Sequence, residues 1–368
     1  MGLDKRITLY KAIEVKRGNP LIVYVTSMRR NAEAQIARDA ISELLSQLEL
    51  LPAGTKALDF YIGSYGGDGT VAWRIVSLIR ERVQKLTVMV PQAAFSAATL
   101  LALGADEIIM HPHGNLGPTD PQITNRAKNV QFGSEDLAAF LKFARSEVGL
   151  TDQMPLLELF KQFSAEVGFV GIGVAARSAQ LTQSMAEKLL RLHMKSESQM
   201  QKAKVISDAL NTKFFHHGYP VSRSEAKDIG LPIAGSDPEL ESLMRDVWLD
   251  IEKDLKFREP FSPVRVLKEE KLCAGLFAPV VPGAPPVATP PAHYVQIGAI
   301  MESQRKVTHA IVEGEILAAR QPDLNLKISV IPQKEGWVDI ALPLDHVTSE
   351  KHGGPAKKKQ VKKAGGAK

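Results

Sequence analysis

The chain has 368 residues, of which 44% are hydrophobic and 24% are charged, as in ordinary globular proteins. Its net charge of +5 comes from seven lysines in residues 351–368, without which the net charge is −2; this disfavours a basic nucleic-acid-binding face on the folded part. The single cysteine, Cys273, excludes an intrachain disulfide and favours a reducing compartment such as the cytoplasm.

The N-terminal residues carry charge and lack the apolar core of a secretory signal. No stretch of the chain approaches the length of apolar sequence that a membrane-spanning helix needs. We therefore expect a cytoplasmic protein with no membrane span.

The first third of the chain predicts alternating strands and helices. The predicted strands are residues 21–26, 57–62, 86–90 and 106–110, and the predicted helices are residues 33–51, 70–83 and a short helix that begins at Ser96. This order predicts right-handed crossovers and an α/β fold with a parallel sheet and flanking helices. Ligands of such sheets bind at the carboxyl ends of the strands.

The rest of the chain changes in character. Further helices are predicted at residues 135–148, 153–167, 175–206 and 237–257, with a capping box at residues 222–225. Six prolines in residues 279–291 indicate an extended linker. Beyond it, residues 294–300, 327–331 and 337–342 indicate strands, and residues 305–319 could be either helix or strand.

These patterns predict four parts of the chain. A large α/β domain is expected over residues 1–262, a proline-rich linker over 263–292, a small α+β unit over 293–347, and a disordered lysine-rich tail over 348–368. The lysine-rich tail could contact acidic surfaces or nucleic acid, although its composition favours a solubilising role.

Ser96 falls where the third strand has ended and a short apolar helix begins. At such a position the free N–H groups of the first helical turn face the same space as the side chain. A nucleophilic serine there would have backbone donors for a developing oxyanion. Serine is also a favoured helix N-cap, so the residue alone leaves both interpretations open.

Adjacent glycines, Gly66 and Gly67, lie in the turn after the second strand. They can bring backbone N–H groups against a substrate carbonyl, although a tight turn uses such glycines equally. The chain lacks a G-x-G-x-x-G pattern and a Walker lysine here, which disfavours phosphate binding. The parallel sheet should bring this turn next to Ser96, with Ala97 as a further backbone donor.

A nucleophilic serine needs a base. Asp120 lies in a turn-rich loop after the fourth strand and could also be a plain turn former. His217 lies just before the capping box, and three other histidines compete with it: His216, His111 and His113. The residues alone do not choose among them.

Four motifs together resemble the Clp-fold serine peptidases, which include the Clp proteolytic subunit and signal peptide peptidase A, and within that group the serine dehydrogenase proteinase family. The motifs are Gly66-Gly67-Asp68, Phe95-Ser96-Ala97-Ala98, Gly104–Ile108 and Leu116–Pro121, and the resemblance covers roughly residues 20–235. It implies a Clp/crotonase-like fold and a serine endopeptidase that needs no metal or organic cofactor.

The resemblance also implies roles for individual residues. Ser96 would be the nucleophile, Asp120 the orienting acid and His217 the base, with His216 as the alternative base. Gly66, Gly67 and Ala97 would supply the oxyanion hole. A peptide or protein would be the substrate, and the active form would be a homo-oligomer.

Three rival hypotheses remain open at this point. A Ser–Lys dyad, as in signal peptide peptidase A, would use Lys128 or Lys142 as the base. A crotonase-like acyl-CoA enzyme would use Asp68, Asp106 or Glu107, all of which are favoured as ordinary caps or turn residues. A non-catalytic scaffold would recruit partners through the C-terminal unit and the basic tail.

Overall fold

The computed structural model describes residues 2–342 except for residues 126–129, 213, 215, 280–284 and 322–324. The α-helices are α1 (Leu3–Arg17), α2 (Ala40–Glu49), α3 (Gly69–Arg82), α4 (Ala97–Leu103), α5 (Ser134–Ser146), α6 (Gln153–Val167), α7 (Phe169–Leu190), α8 (Glu197–Thr212), α9 (Arg223–Asp228), α10 (Pro238–Asp254) and α11 (Pro263–Glu269), followed by a 3₁₀ helix at Lys271–Phe277. The strands are β1 (Leu21–Thr26), β2 (Ala57–Gly63), β3 (Lys85–Val90), β4 (Ala93–Ala94), β5 (Glu107–Met110), β6 (Asn115–Leu116), β7 (Gln122–Asn125), β8 (Val130–Gly133), β9 (Val287–Ala288), β10 (Ala292–Glu302), β11 (Val307–Arg320) and β12 (Leu326–Ile340).

The central sheet is built on the four predicted strands. β1, β2, β3 and β5 lie side by side and run parallel, and the predicted α/β fold with a parallel sheet and flanking helices is confirmed. Helices cover both faces of this sheet. Side chains such as Phe60 and Val88 pack in one core against α2, α3 and α4, whereas Tyr61 and Met89 pack in the other against α1 and α10.

The C-terminal strands extend this sheet. β10 pairs antiparallel with β1, and β11 and β12 continue outward from β10. The described residues after 292 contain no helix, so the ambiguous segment 305–319 is a strand. The predicted domain boundaries remain a prediction, and the tail at 348–368 lies outside the described residues.

Two short helices lie inside the segment predicted as an extended linker. α11 and the 3₁₀ helix form because Leu267, Cys273 and Leu276 are buried against Tyr294 of β10 and Ile316 of β11. Both helices precede the proline-rich residues 279–291, and burial of these apolar side chains stabilises them.

Two more differences from the predicted elements have local causes. α2 begins at Ala40 instead of residue 33, because Ile36 is extended and its N–H donates to the Gly66 carbonyl at 2.8 Å. α1 is absent from the predicted elements, and it buries Ile7, Tyr10 and Ile13 together with Arg6. The Arg6 guanidinium pairs with Glu302 of β10 and Asp250 of α10, each at 2.8 Å.

Helices α5, α6 and α7 form a separate layer with its own small core of Phe132, Val167 and Ala175. Its outer surface is unusually apolar, with exposed Leu141, Phe143, Val148, Met154, Leu157, Phe160, Phe169, Val170 and Leu181. In the described residues no single helix is long and apolar enough to cross a membrane. The chain bends by 87° between α6 and α7, and these two helices meet the length and composition criterion for a membrane span only when they are counted as a pair.

Candidate active site

Ser96 occupies a strained turn between β4 and α4. Its φ and ψ angles are 52° and −114°, in a region that L residues rarely adopt. Ser96 stands at the N-cap position of α4, yet its side chain makes no capping hydrogen bond. Strained conformations of this kind cluster at functional sites, because a surrounding structure must hold them.

The predicted glycine turn lies against Ser96. Gly66 has a φ of 110°, and a Cβ there would stand 2.8 Å from Ser96 Cβ and from the Phe95 carbonyl oxygen. Gly67 has a φ of 146°, and a Cβ there would stand 2.4 Å from the Ile36 carbonyl oxygen. Both positions therefore require glycine for conformation and for the close approach of their neighbours.

The backbone amides of the two turns are not equally available. The Gly66 N–H donates to Ser64 Oγ at 3.1 Å. Within the described part of the chain, the N–H groups of Gly67 and Ala97 have no hydrogen-bond acceptor. Of the three predicted oxyanion donors, Gly67 and Ala97 are thus free to donate to a new negative oxygen, whereas the Gly66 amide is engaged.

Asp120 and His217 are brought together from positions far apart in the chain. Leu116 and Val221 exchange both backbone hydrogen bonds, at 2.8 and 3.0 Å, and this joins the loop after β6 to the segment before α9. His217 Nδ1 lies 2.9 Å from Asp120 Oδ1, and Asp120 is buried while the His217 side chain is 32% exposed. With Nδ1–H donating to the carboxylate, the His217 Nε2 lone pair is available as a base.

Ser96 and His217 line the same cleft, whose volume is about 340 Å³. The cleft is also lined by Gln35, Tyr65, Gly67, Gly69, Ala97, Leu100, Thr119, Pro121, Gln122 and Thr182. Gln122 Nε2 donates to Asp120 Oδ2 at 2.7 Å, and Gln122 is not among the predicted site residues. Its position two residues after Asp120 was the only signal for it.

The competing histidines are engaged elsewhere. His216 is exposed, and its Nδ1 accepts the Gly218 N–H at 3.0 Å within its own turn. His111 is buried beside His113, and burial first and then that neighbour lower the pKa of His111. The geometry favours His217 over both.

The residues of the rival hypotheses have other contacts. Asp68 caps α3 by accepting the Thr70 N–H at 2.8 Å. Asp106 and Glu107 pair with Arg80 and Arg17 at 2.7 and 2.8 Å. Lys142 is exposed on α5, whereas Lys128 lies outside the described residues. In the residues that the structure covers, no group of three His, Cys, Asp or Glu side chains could hold a metal ion.

Residues 35–131 match the family model of the ClpP-like SDH-type serine proteinases. The matched segment contains the glycine turn, Ser96 and Asp120, and the match confirms the predicted resemblance to ClpP-like serine proteinases.

Among curated proteins, the chain is similar to two uncharacterized proteins of Methanocaldococcus jannaschii. One is 25% identical over 64% of this chain and 73% of its own length. The other is 27% identical over 54% of this chain and 60% of its own length.

Among solved structures, similarity is found to a membrane-bound stomatin-specific protease and to ClpP1 of Listeria monocytogenes. The first is 14% identical, covers 61% of this chain and 84% of its own, and has a TM-score of 0.38. The second is 15% identical, covers 64% and 99%, and has a TM-score of 0.32.

Proposed function

We propose that this protein is a serine endopeptidase that works through a Ser96–His217–Asp120 triad. The observation that carries the proposal is the Nδ1–Oδ1 hydrogen bond of 2.9 Å between His217 and Asp120, with His217 and Ser96 lining one cleft. The family match over residues 35–131 supports a serine proteinase, and the strained φ of Ser96 supports a functional role for that serine.

The proposed reaction begins with the transfer of a proton from Ser96 to His217. Ser96 Oγ attacks the carbonyl carbon of a peptide bond, and its proton passes to His217 Nε2. The carbonyl oxygen becomes an oxyanion, to which the N–H groups of Gly67 and Ala97 donate. Asp120 holds the tautomer of His217 that has its proton on Nδ1 and stabilises the imidazolium.

The intermediate then collapses and the C–N bond breaks. The imidazolium of His217 gives its proton to the leaving amine, and an ester to Ser96 remains. A water molecule attacks this ester with His217 again as the base, which releases the carboxylic acid and restores the serine.

Labelling by a fluorophosphonate probe tests the proposal directly, because the probe reacts only with an activated serine. We expect labelling of the wild-type chain and none of Ser96→Ala or His217→Ala. His216→Ala is the matched control, since that neighbouring histidine is turned into its own loop, and it should label at the wild-type rate. Labelling that survives in folded Ser96→Ala would overturn the assignment of the nucleophile.

A peptide assay then tests the reaction itself. Hydrolysis of an internally quenched peptide library by the wild type, and not by Ser96→Ala, is the expected result. Labelling at Ser96 with hydrolysis of esters alone would replace the peptidase proposal with an esterase.

The proposal includes assembly into a homo-oligomer in the cytoplasm. The exposed apolar side chains of α5–α7, such as Phe143, Phe160 and Phe169, support a protein–protein interface there. The single buried and free cysteine, Cys273, fits a reducing compartment. Sedimentation velocity should give a mass that is a multiple of 40.2 kDa, and a monomer at all concentrations would contradict the assembly.

A further inference from the structure

Both oxygens of the Asp120 carboxylate are held by side chains. Oδ1 lies 2.9 Å from His217 Nδ1, and Oδ2 accepts from Gln122 Nε2 at 2.7 Å. Asp120 is only 8% exposed, so water has little access to replace either donor. Two donors on opposite oxygens fix the plane of the carboxylate, and this fixes the direction in which Oδ1 meets the imidazole.

The neighbouring strand leaves space for the Gln122 amide. In the β7–β8 hairpin, Gln122 is paired with Gly133. A Cβ at position 133 would stand 2.9 Å from Gln122 Nε2 and 3.7 Å from Asp120 Oδ2. Gly133 has a φ of −108°, which any residue can adopt, so a side chain at position 133 would meet no backbone restriction but would require the Gln122 amide to move away.

Other carboxylates lie near Asp120. Glu135 lies at the start of α5, and burial first, then the negative charges of Asp120 and Asp136, raise the pKa of Glu135. The Gln122 amide donates to Asp120 without adding a charge of its own. The second oxygen of the carboxylate is thereby satisfied, and the first oxygen stays with His217.

We propose that Gln122 is a positioning residue that holds the Asp120 carboxylate in the orientation in which it hydrogen-bonds to His217. This inference rests on the proposed function, because Asp120 and His217 belong to the triad. Gln122 acts through Asp120: loss of its donor lets the carboxylate rotate, and the imidazole then loses its preferred tautomer and orientation. Gln122 belongs to the two-stranded β7–β8 hairpin, whereas Ser96 follows β4, which pairs with β6. The triad therefore depends on the hairpin as well as on the turn that carries Ser96.

The kinetic test is a double-mutant cycle with Gln122→Met, Asp120→Ala and the double variant. Methionine keeps the length of glutamine and removes its donor. We expect Gln122→Met to lower kcat about 10- to 100-fold with little change in KM, and to lower it by less than about twofold when Asp120 is already alanine. Gln92→Met is the control, because Gln92 is an exposed glutamine after β3, and it should match the wild type.

Equal losses of kcat in the two backgrounds would overturn the inference, because they would show that Gln122 does not act through Asp120. A loss confined to KM would overturn it as well, since it would assign Gln122 to substrate binding.

A second measurement does not depend on catalysis. In protein labelled with ¹⁵N-histidine, the Nδ1 proton of His217 should give a low-field resonance that disappears in Asp120→Ala. We expect that resonance to be lost or broadened in Gln122→Met and kept in Gln92→Met, with the same melting temperature for both variants. If the resonance is retained in Gln122→Met, the inference about Gln122 is overturned, whether or not the chain is active. If the chain shows no Ser96-dependent activity, that result by itself refutes only the proposed function.

Discussion

Replacement of Gly66 by alanine should slow the reaction of Ser96 while the chain stays folded. The added Cβ would stand 2.8 Å from both Ser96 Cβ and the Phe95 carbonyl oxygen. Ordinary contacts at a Cβ begin at 3.4 Å, so the turn that carries Ser96 must retreat by roughly 0.6 Å. A displacement of about 1 Å at a reacting group can lower a rate about 100-fold, and we expect a loss of about 10- to 100-fold.

The same substitution also strains the backbone. Gly66 has a φ of 110°, and a non-glycine residue at positive φ costs on the order of 1–2 kcal/mol. A control must therefore carry this strain without the contact. Gly54 offers one, because its φ is 79° and its Cβ would meet nothing within 4 Å, and it lies between α2 and β2.

The assay is the time course of fluorophosphonate labelling, measured beside the free energy of unfolding in urea. Gly54→Ala should lose a similar amount of stability and label at the wild-type rate. Gly66→Ala should lose stability and label slowly. Equal labelling rates for the two variants would refute the reasoning, because they would show that the closeness of Gly66 to Ser96 does not hold the serine in place.

Two further predictions concern buried carboxylates. Asp120→Asn should keep the fold by circular dichroism and lower kcat by up to about 10⁴-fold, because an amide favours the wrong tautomer of His217. At Glu302, burial by itself raises the pKa, but hydrogen bonds and charge from His309 and Arg6 bring it down from 4.5 to about 2. The unfolded chain therefore binds more protons than the folded one below pH 4.5, so the stabilisation from Glu302 is complete above that pH and is lost as the pH falls towards 2. Urea unfolding at stepped pH should show this loss, and Glu302→Gln should cost about 3–5 kcal/mol and flatten the pH dependence.

The central sheet and the approach of Gly66 to Ser96 could be predicted because their signals are local. Each parallel strand is a short apolar run bounded by turn residues, and the order of strands and helices then defines the topology. Gly66 and Ser96 both follow such strands, which is enough to bring them to one edge of the sheet. The strained φ of Ser96 and the engaged amide of Gly66 could not be predicted, since both depend on atoms supplied by Ser64, Phe95 and the turns around them.

The remaining features depend on residues that are distant in the chain. β10 pairs with β1 although the two strands are more than 270 residues apart in the chain. The sequence of neither strand indicates which strand it pairs with. The spacing of Ile7, Tyr10 and Ile13 was a usable signal for α1, but the buried Arg6 interrupts its apolar face. A buried arginine is explained only by its ion pairs with Glu302 and Asp250. Buried charges are favourable only with such partners, so sequence patterns penalise them.

The two interpretations of Ser96, helix cap or nucleophile, predict opposite effects on stability. When a serine that caps a helix is replaced by alanine, the protein loses about 1 kcal/mol of stability, and replacement by glycine costs only a few tenths of a kcal/mol. Ser96 makes no capping hydrogen bond, and its φ of 52° is one that glycine adopts without strain.

We therefore expect Ser96→Ala to be nearly neutral and Ser96→Gly to stabilise the chain by about 1 kcal/mol, as relief of backbone strain, while both abolish labelling. Asp68→Ala is the control for a true cap, because Asp68 accepts the Thr70 N–H at 2.8 Å, and it should cost about 1 kcal/mol. Chemical denaturation of the three variants measures these differences. If Ser96→Ala were destabilised as much as Asp68→Ala, Ser96 would be a cap, and the strain at its backbone would have no link to catalysis.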